Sequence, residues 1–123
     1  MTWLVSKLTQ AWYHFRARCQ RFRRGWAYSD VWSMDDWFIQ TLEPMLRYLQ
    51  AHHHGVPLGY TDEKWTQRLG RMADCLHLMD TGTVQEELFD GDLTKYNEIF
   101  DAADKNKTEF FELFAEDFYG LWD

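Results

Sequence analysis

Thr61-Asp62-Glu63-Lys64-Trp65-Thr66-Gln67-Arg68-Leu69-Gly70-Arg71-Met72-Ala73-Asp74-Cys75-Leu76-His77-Leu78-Met79 is the stretch that decides the fold class. Trp65, Leu69, Met72, Leu76 and Met79 recur at steps of four, three, four and three, which is one face of an α-helix and incompatible with the two-residue repeat of a strand. Thr61 supplies a capping hydroxyl, and Asp62 and Glu63 place carboxylates in the positive first turn. Thr81-Gly82 stops the segment. The spacing predicts a helix over 62–79.

The same period extends outward in both directions. Leu4, Leu8, Ala11, Trp12, Phe15, Cys19 and Phe22 form one apolar stripe, so residues 2–23 are predicted as an amphipathic helix ended by Gly25. Such a stripe is expected to be buried, with the protein's own core the nearest cover, although a basic amphipathic helix also suits a membrane surface. A second helix over 34–51 turns Met34, Trp37, Phe38, Leu42, Met45, Leu46 and Leu49 inward and contains Pro44, which removes a backbone bond and favours a kink. It ends at His52-His53-His54-Gly55, where Gly55 suits a left-handed position. Val84–Phe89 has room for two further turns. Helical spacing then resumes over 93–119, weakest at Asp104-Lys105-Asn106-Lys107. No alternating β-branched run occurs. The chain is therefore expected to be all-α, a compact bundle of four main helices with an aromatic-rich core and an irregular loop at residues 24–34. Leu121 and Trp122 are expected to be buried against it.

Composition fits one globular domain spanning 1–123. The 123 residues carry a net charge of -7, are 46% hydrophobic and 27% charged, and include seven Trp, six Tyr and nine Phe. The charge is lopsided. Residues 1–26 hold six Lys or Arg and no acid, while the remaining 97 hold seven basic and 20 acidic groups. The first helix is thus a basic amphipathic arm, expected to pack on an acidic body within or between subunits, which favours a homo-oligomer. An acidic body disfavours duplex nucleic acid as the main partner. No apolar run is long enough for a membrane span, and no signal-peptide pattern is present. Cys19 and Cys75 lie far apart in helical segments and read as buried small apolar residues in a reducing compartment.

Chemistry is sparse. Three consecutive histidines point about 100° apart on a helix, so they do not converge on one ion, and their place at a helix C-terminus accounts for their charge. A calcium loop starting at Asp104 fails at its sixth position, Glu109, and at its twelfth, Ala115. His14 and His77 have no nucleophile or acid at readable spacing, and no phosphate-cradling glycine loop occurs. Neither an enzyme, a metal site nor a cofactor is expected. The distinctive feature is Arg23-Arg24-Gly25-Trp26-Ala27-Tyr28-Ser29-Asp30-Val31-Trp32. Its arginines suit phosphate, and its rings suit nucleobases. The same residues also suit a plug at the end of a bundle, with Asp30 capping the second helix or pairing with Arg24. As a binding site the cluster comprises Arg23, Arg24, Trp26, Tyr28, Asp30 and Trp32, joined by Tyr60 from the following loop.

Several of these motifs resemble a family of small tailed-phage and prophage proteins of uncharacterised function. The likeness rests on Trp12-Tyr13-x-Phe15-Arg16, Arg24-Gly25-Trp26-x-x-Ser29-Asp30-Val31-Trp32-Ser33-Met34-Asp35, the proline within the second helix, His54-Gly55-Val56-Pro57, Thr61-Asp62-Glu63-Lys64-Trp65 and Phe118-Tyr119-Gly120-Leu121-Trp122-Asp123. The resemblance implies an all-helical phage protein acting in the host cytoplasm and supplies no catalytic residues. Two functions follow from it. One is counter-defence by sequestering a small anionic nucleotide-type immune signal, a cyclic nucleotide or an NAD-derived molecule. The other is an inhibitor or adaptor that docks on a host or defence protein. A minor virion structural role is a third.

Overall fold

A computed structural model of the chain describes residues 2–80 and 96–122. Four long helices account for most of them: α1 (Thr2–Arg24), α2 (Met34–His52), α3 (Asp62–Met79) and α4 (Tyr96–Asp117). Single 3₁₀ segments cover Tyr28–Ser33 and Phe118–Gly120. Among the described residues there is no strand, so the protein is all-α. The bounds of α1, α2 and α3 fall within one residue of those read from periodicity. Helix α4 runs unbroken through Asp104–Lys107, where Asn106 and Thr108 turn their side chains back onto the carbonyls of Ala102 and Asp104 at 2.9 and 3.1 Å. The predicted start of α4 at 93–95 and the turns at Val84–Phe89 lie outside the described residues.

The chain forms two units, residues 1–38 and 39–123, the division falling inside α2. In the second unit α3 supplies the core. Trp65, Leu69, Met72, Ala73, Cys75 and Leu76 have no solvent-accessible surface, and Ile99, Ala103 and Phe110 of α4 face them. Burial removes apolar area at roughly 25 cal/mol per Å², so this helix pair is where the unit gains most of its stability. Charged pairs fix the register of the two helices. Arg71 makes a two-pronged contact with Glu109, at 2.6 Å for each prong, which holds the Glu109 carboxyl below its ordinary range. Arg68 donates to Asp117 at 2.6 Å and to Glu116, and Tyr60 donates to the other Asp117 oxygen at 2.7 Å. That arrangement explains how a carboxylate as buried as Asp117 is tolerated.

Helix α2 turns fewer residues inward than its pattern suggests. Ile39 and Leu46 are buried, but Met34 and Met45 are exposed. Pro44 sits inside α2, which continues through it. Side chains tie α2 to α3: Arg47 to Asp74 at 3.1 Å, His77 to Glu43 at 3.1 Å, and Gln50 to the Thr66 carbonyl at 3.3 Å.

Two further expectations are corrected in this unit. Gly55 is not left-handed; the positive φ after α2 belongs to Gly59, at 95°. A Cβ at 55 would lie 3.4 Å from the Trp122 ring, an ordinary van der Waals distance, so Gly55 marks where that ring packs on the chain. Trp122 is not buried, with 56% of its surface exposed, and Leu121 is half-buried. The tail is nevertheless seated. A Cβ on Gly120 would lie 2.8 Å from Pro57 Cγ, so the 3₁₀ turn at 118–120 rests on the loop that follows α2.

Candidate functional site

The Arg/aromatic cluster lies wholly in the first unit, and its geometry begins with Gly25. Gly25 takes a φ of 86°, and its N–H closes α1 on the Arg21 carbonyl at 2.8 Å. That left-handed residue turns the chain back along the helix it has just left. Two polar contacts then fasten the returning 3₁₀ segment. Arg21 grips Asp30 through Nε and Nη2 at 3.1 and 2.8 Å, and the Tyr28 N–H donates to Gln20 Oε1 at 2.7 Å. Asp30 also accepts the Ala27 N–H at 2.8 Å, so its carboxylate closes its own turn. These donors hold the Asp30 carboxyl below its usual range, the Arg21 contact acting most strongly. The partner of Asp30 is thus Arg21, not Arg24, and the turn it caps is its own 3₁₀ segment, not α2.

Arg24 has a different role. Its guanidinium stacks on the Trp26 ring at 3.9 Å, and its Nε donates to the Trp26 carbonyl at 3.0 Å. Arg23 is exposed. Tyr28 and Trp32 meet edge to face at 6.2 Å, both largely in solvent, with Trp32 76% exposed. Only Ala27 of this loop is fully enclosed. The rings are therefore not a plug. Trp26, Asp30, Val31, Met34 and Trp37 line an apolar cleft of about 240 Å³, and Tyr13, Arg16, Ala17, Gln20, Tyr28 and Ser29 line a second of about 210 Å³. Met34 and Trp37 escaped sequence reading as site residues because both read as inward-facing residues of the second helix, and Gln20 because a lone amide on a helix carries no motif. The reversal at Gly25 was the signal that residues 28–30 return to residues 20–21. Tyr60 stands in the second unit, its hydroxyl donated to Asp117 and its ring against Trp65 at 5.2 Å.

The loop occupies one side of α1 and does not reach the other. Ala17 is the buried residue of this helix, whereas Leu4, Leu8, Trp12, Phe15, Cys19 and Phe22 are all exposed, Phe22 at 96%. The expected burial of the stripe, and of Cys19 with it, is not what the structure contains. Cys75 is buried as expected, and burial pushes its thiol up to about 11.

The histidine run serves the second unit. His53 places Nδ1 2.9 Å from the Leu49 carbonyl and Nε2 2.8 Å from Asp62. Both neighbours are acceptors, so only the doubly protonated ring satisfies both, and Asp62 raises its pKa above the ordinary value. His52 stacks on Tyr48 at 4.3 Å. Among the described residues no group of three or more His, Cys, Asp or Glu side chains is placed to hold a metal ion, and no helix is long and apolar enough to cross a membrane.

No protein-family model, no curated protein and no solved structure matches the chain.

Proposed function

We propose that the protein is a non-enzymatic binding protein that works by docking, with α1 of the N-terminal unit as the element that engages the surface of a larger partner. The observation that carries this reading is the open stripe from Leu4 to Phe22, six large or medium apolar side chains left in solvent on a helix whose other side is already occupied. An exposed apolar face of this extent marks an interaction surface in a stable protein. The likeness to small tailed-phage proteins favours a host or defence component as the target and counter-defence in the host cytoplasm as the purpose.

A second reading has its own support. Arg24 stacked on Trp26 beside the 240 Å³ cleft offers a guanidinium and an indole to one ligand, which suits a small anionic nucleotide-type signal. It is the weaker reading, because the cleft presents only apolar surface and Arg21, the guanidinium nearest Asp30, is already committed to that carboxylate.

The docking reading is tested by carbene footprinting of the intact protein in buffer and in a bacterial lysate. Labelling of Leu4, Leu8, Trp12, Phe15 and Phe22 falls in the lysate while α4 is unchanged. Unchanged labelling of α1 rejects docking. For the second reading, titration with cyclic di- and trinucleotides gives binding that Arg24→Ala weakens about tenfold or more, the scale of one charge-assisted contact.

A further inference from the structure

Helix α1 has a particular charge layout around its open stripe. At about 100° per residue, Leu4, Leu8, Trp12, Phe15, Cys19 and Phe22 share one face. Lys7 and Arg18 run along one edge of that face, and Arg16 and Arg23 run along the other. All four are exposed, and residues 1–26 contain no carboxylate. The contacts that fasten the loop, Gln20 to Tyr28 and Arg21 to Asp30, leave from the opposite side of the helix. The stripe is an apolar band bordered on both sides by cations.

We infer that α1 lies in the plane of an anionic lipid bilayer surface, its stripe at the headgroup–acyl boundary and Lys7, Arg16, Arg18 and Arg23 at headgroup level. This rests on the docking reading's open stripe and takes a lipid surface, rather than a host protein, as what α1 engages. Long basic side chains reach from the edge of a sunken helix toward phosphates, and Trp and Phe favour this boundary. From Leu4 to Phe22 the stripe runs about 27 Å at 1.5 Å per residue, enough continuous apolar area for a surface-lying helix.

A second copy is a poorer occupant on two counts. Pairing α1 with α1 sets those four cations beside their counterparts with no acid within residues 1–26 to relieve them. The second unit is acidic, but the apolar groove described there, between Leu42–Leu49 of α2 and Leu121–Trp122, follows only two turns of α2, about 10 Å at the helical rise. That is too short for the stripe.

The test is co-sedimentation of the full chain with vesicles of phosphatidylcholine alone and of equimolar phosphatidylcholine and phosphatidylglycerol, with Trp fluorescence as a second readout. Affinity for the anionic vesicles exceeds that for the neutral ones about tenfold or more, and it falls as salt is raised. The double variant Leu8→Glu/Phe15→Glu abolishes binding while circular dichroism stays helical, since both side chains are exposed in the free protein. Should that variant misfold, Arg16→Gln/Arg23→Gln carries the test, lowering affinity for anionic vesicles about tenfold with less effect on neutral ones. Absence of binding to anionic vesicles, or undiminished binding by the helical double variant, overturns the inference. If vesicles fail while α1 is still protected in lysate cleared of membranes, the partner is a protein and docking survives. Loss of that protection too removes both.

Discussion

Helices α1 and α3 carry apolar stripes of the same period, yet every principal stripe residue of α1 lies in solvent and six core residues of α3 have no exposed surface at all. The difference lies in what each helix meets. Helix α3 meets α4, whose Ile99, Ala103 and Phe110 fill its face while Arg68 and Arg71 pair with acids across the contact. Within the first unit, helix α1 meets its own returning loop among the described residues, and that loop lands on the side away from the stripe. Periodicity names the face that is apolar; the charges beside it say what kind of surface covers it. Mixed charge flanks the buried stripe of α3, and cations alone flank the open one of α1.

That contrast predicts unequal costs for equivalent truncations. Phe110→Ala lowers stability by about 3–5 kcal/mol and Leu69→Ala by about 2–5 kcal/mol, because both side chains are fully enclosed. Phe22→Ala and Leu8→Ala stay within about 0.5 kcal/mol, as for other exposed sites. Urea denaturation of the four variants checks the ordering, and a large loss at Leu8 breaks the comparison.

A smaller effect sharpens it within the second unit. Gly120→Ala puts a methyl 2.8 Å from the Pro57 ring, which cannot rotate away, and costs about 1–3 kcal/mol. In the first unit Asp30→Ala removes the clasp on Arg21 and the Ala27 N–H and costs about 1–2 kcal/mol, read as faster amide exchange over residues 25–33. Its pH dependence has a definite sign. The folded carboxyl has a lowered pKa, so the contribution is present above the unfolded value of about 3.9 and is lost as pH falls through the folded one.

The smallest effect concerns the loop between α2 and α3. His53 has a raised pKa in the folded protein, so its bond to Asp62 contributes fully below the ordinary value of 6.5 and is lost as pH rises through the folded value. Amide exchange over residues 53–62 therefore quickens between mildly acid and mildly alkaline pH beyond the intrinsic rate, and His53→Gln removes that increment.

The helices were legible because each long segment repeats at 3.6 residues and carries its own start or stop, as Thr61 and Gly25 show. What was not legible was pairing. The Arg21–Asp30 clasp depends on a chain reversal at one positive-φ glycine, which composition around Asp30 does not encode, and Arg24 was the nearer candidate by sequence. Gly55 suits a helix stop by position alone, whereas the positive φ falls at Gly59 and Gly55 packs against a Trp ring 67 residues away in the chain. Exposure of the α1 stripe was out of reach for the same reason: whether a face is covered depends on elements distant in sequence.

The two cysteines provide the most direct test of the central contrast, because Cys19 sits in the middle of the α1 stripe and Cys75 in the α3 core. The measurement is the rate at which native protein reacts with a chromogenic disulfide reagent, compared with Cys19→Ser and Cys75→Ser variants. An open α1 face predicts one thiol, Cys19, reacting near the rate of a free peptide thiol, and a second, Cys75, reacting only as fast as the second unit unfolds. Protection of both thiols in the monomeric protein would contradict the account, because the stripe around Cys19 would then be covered.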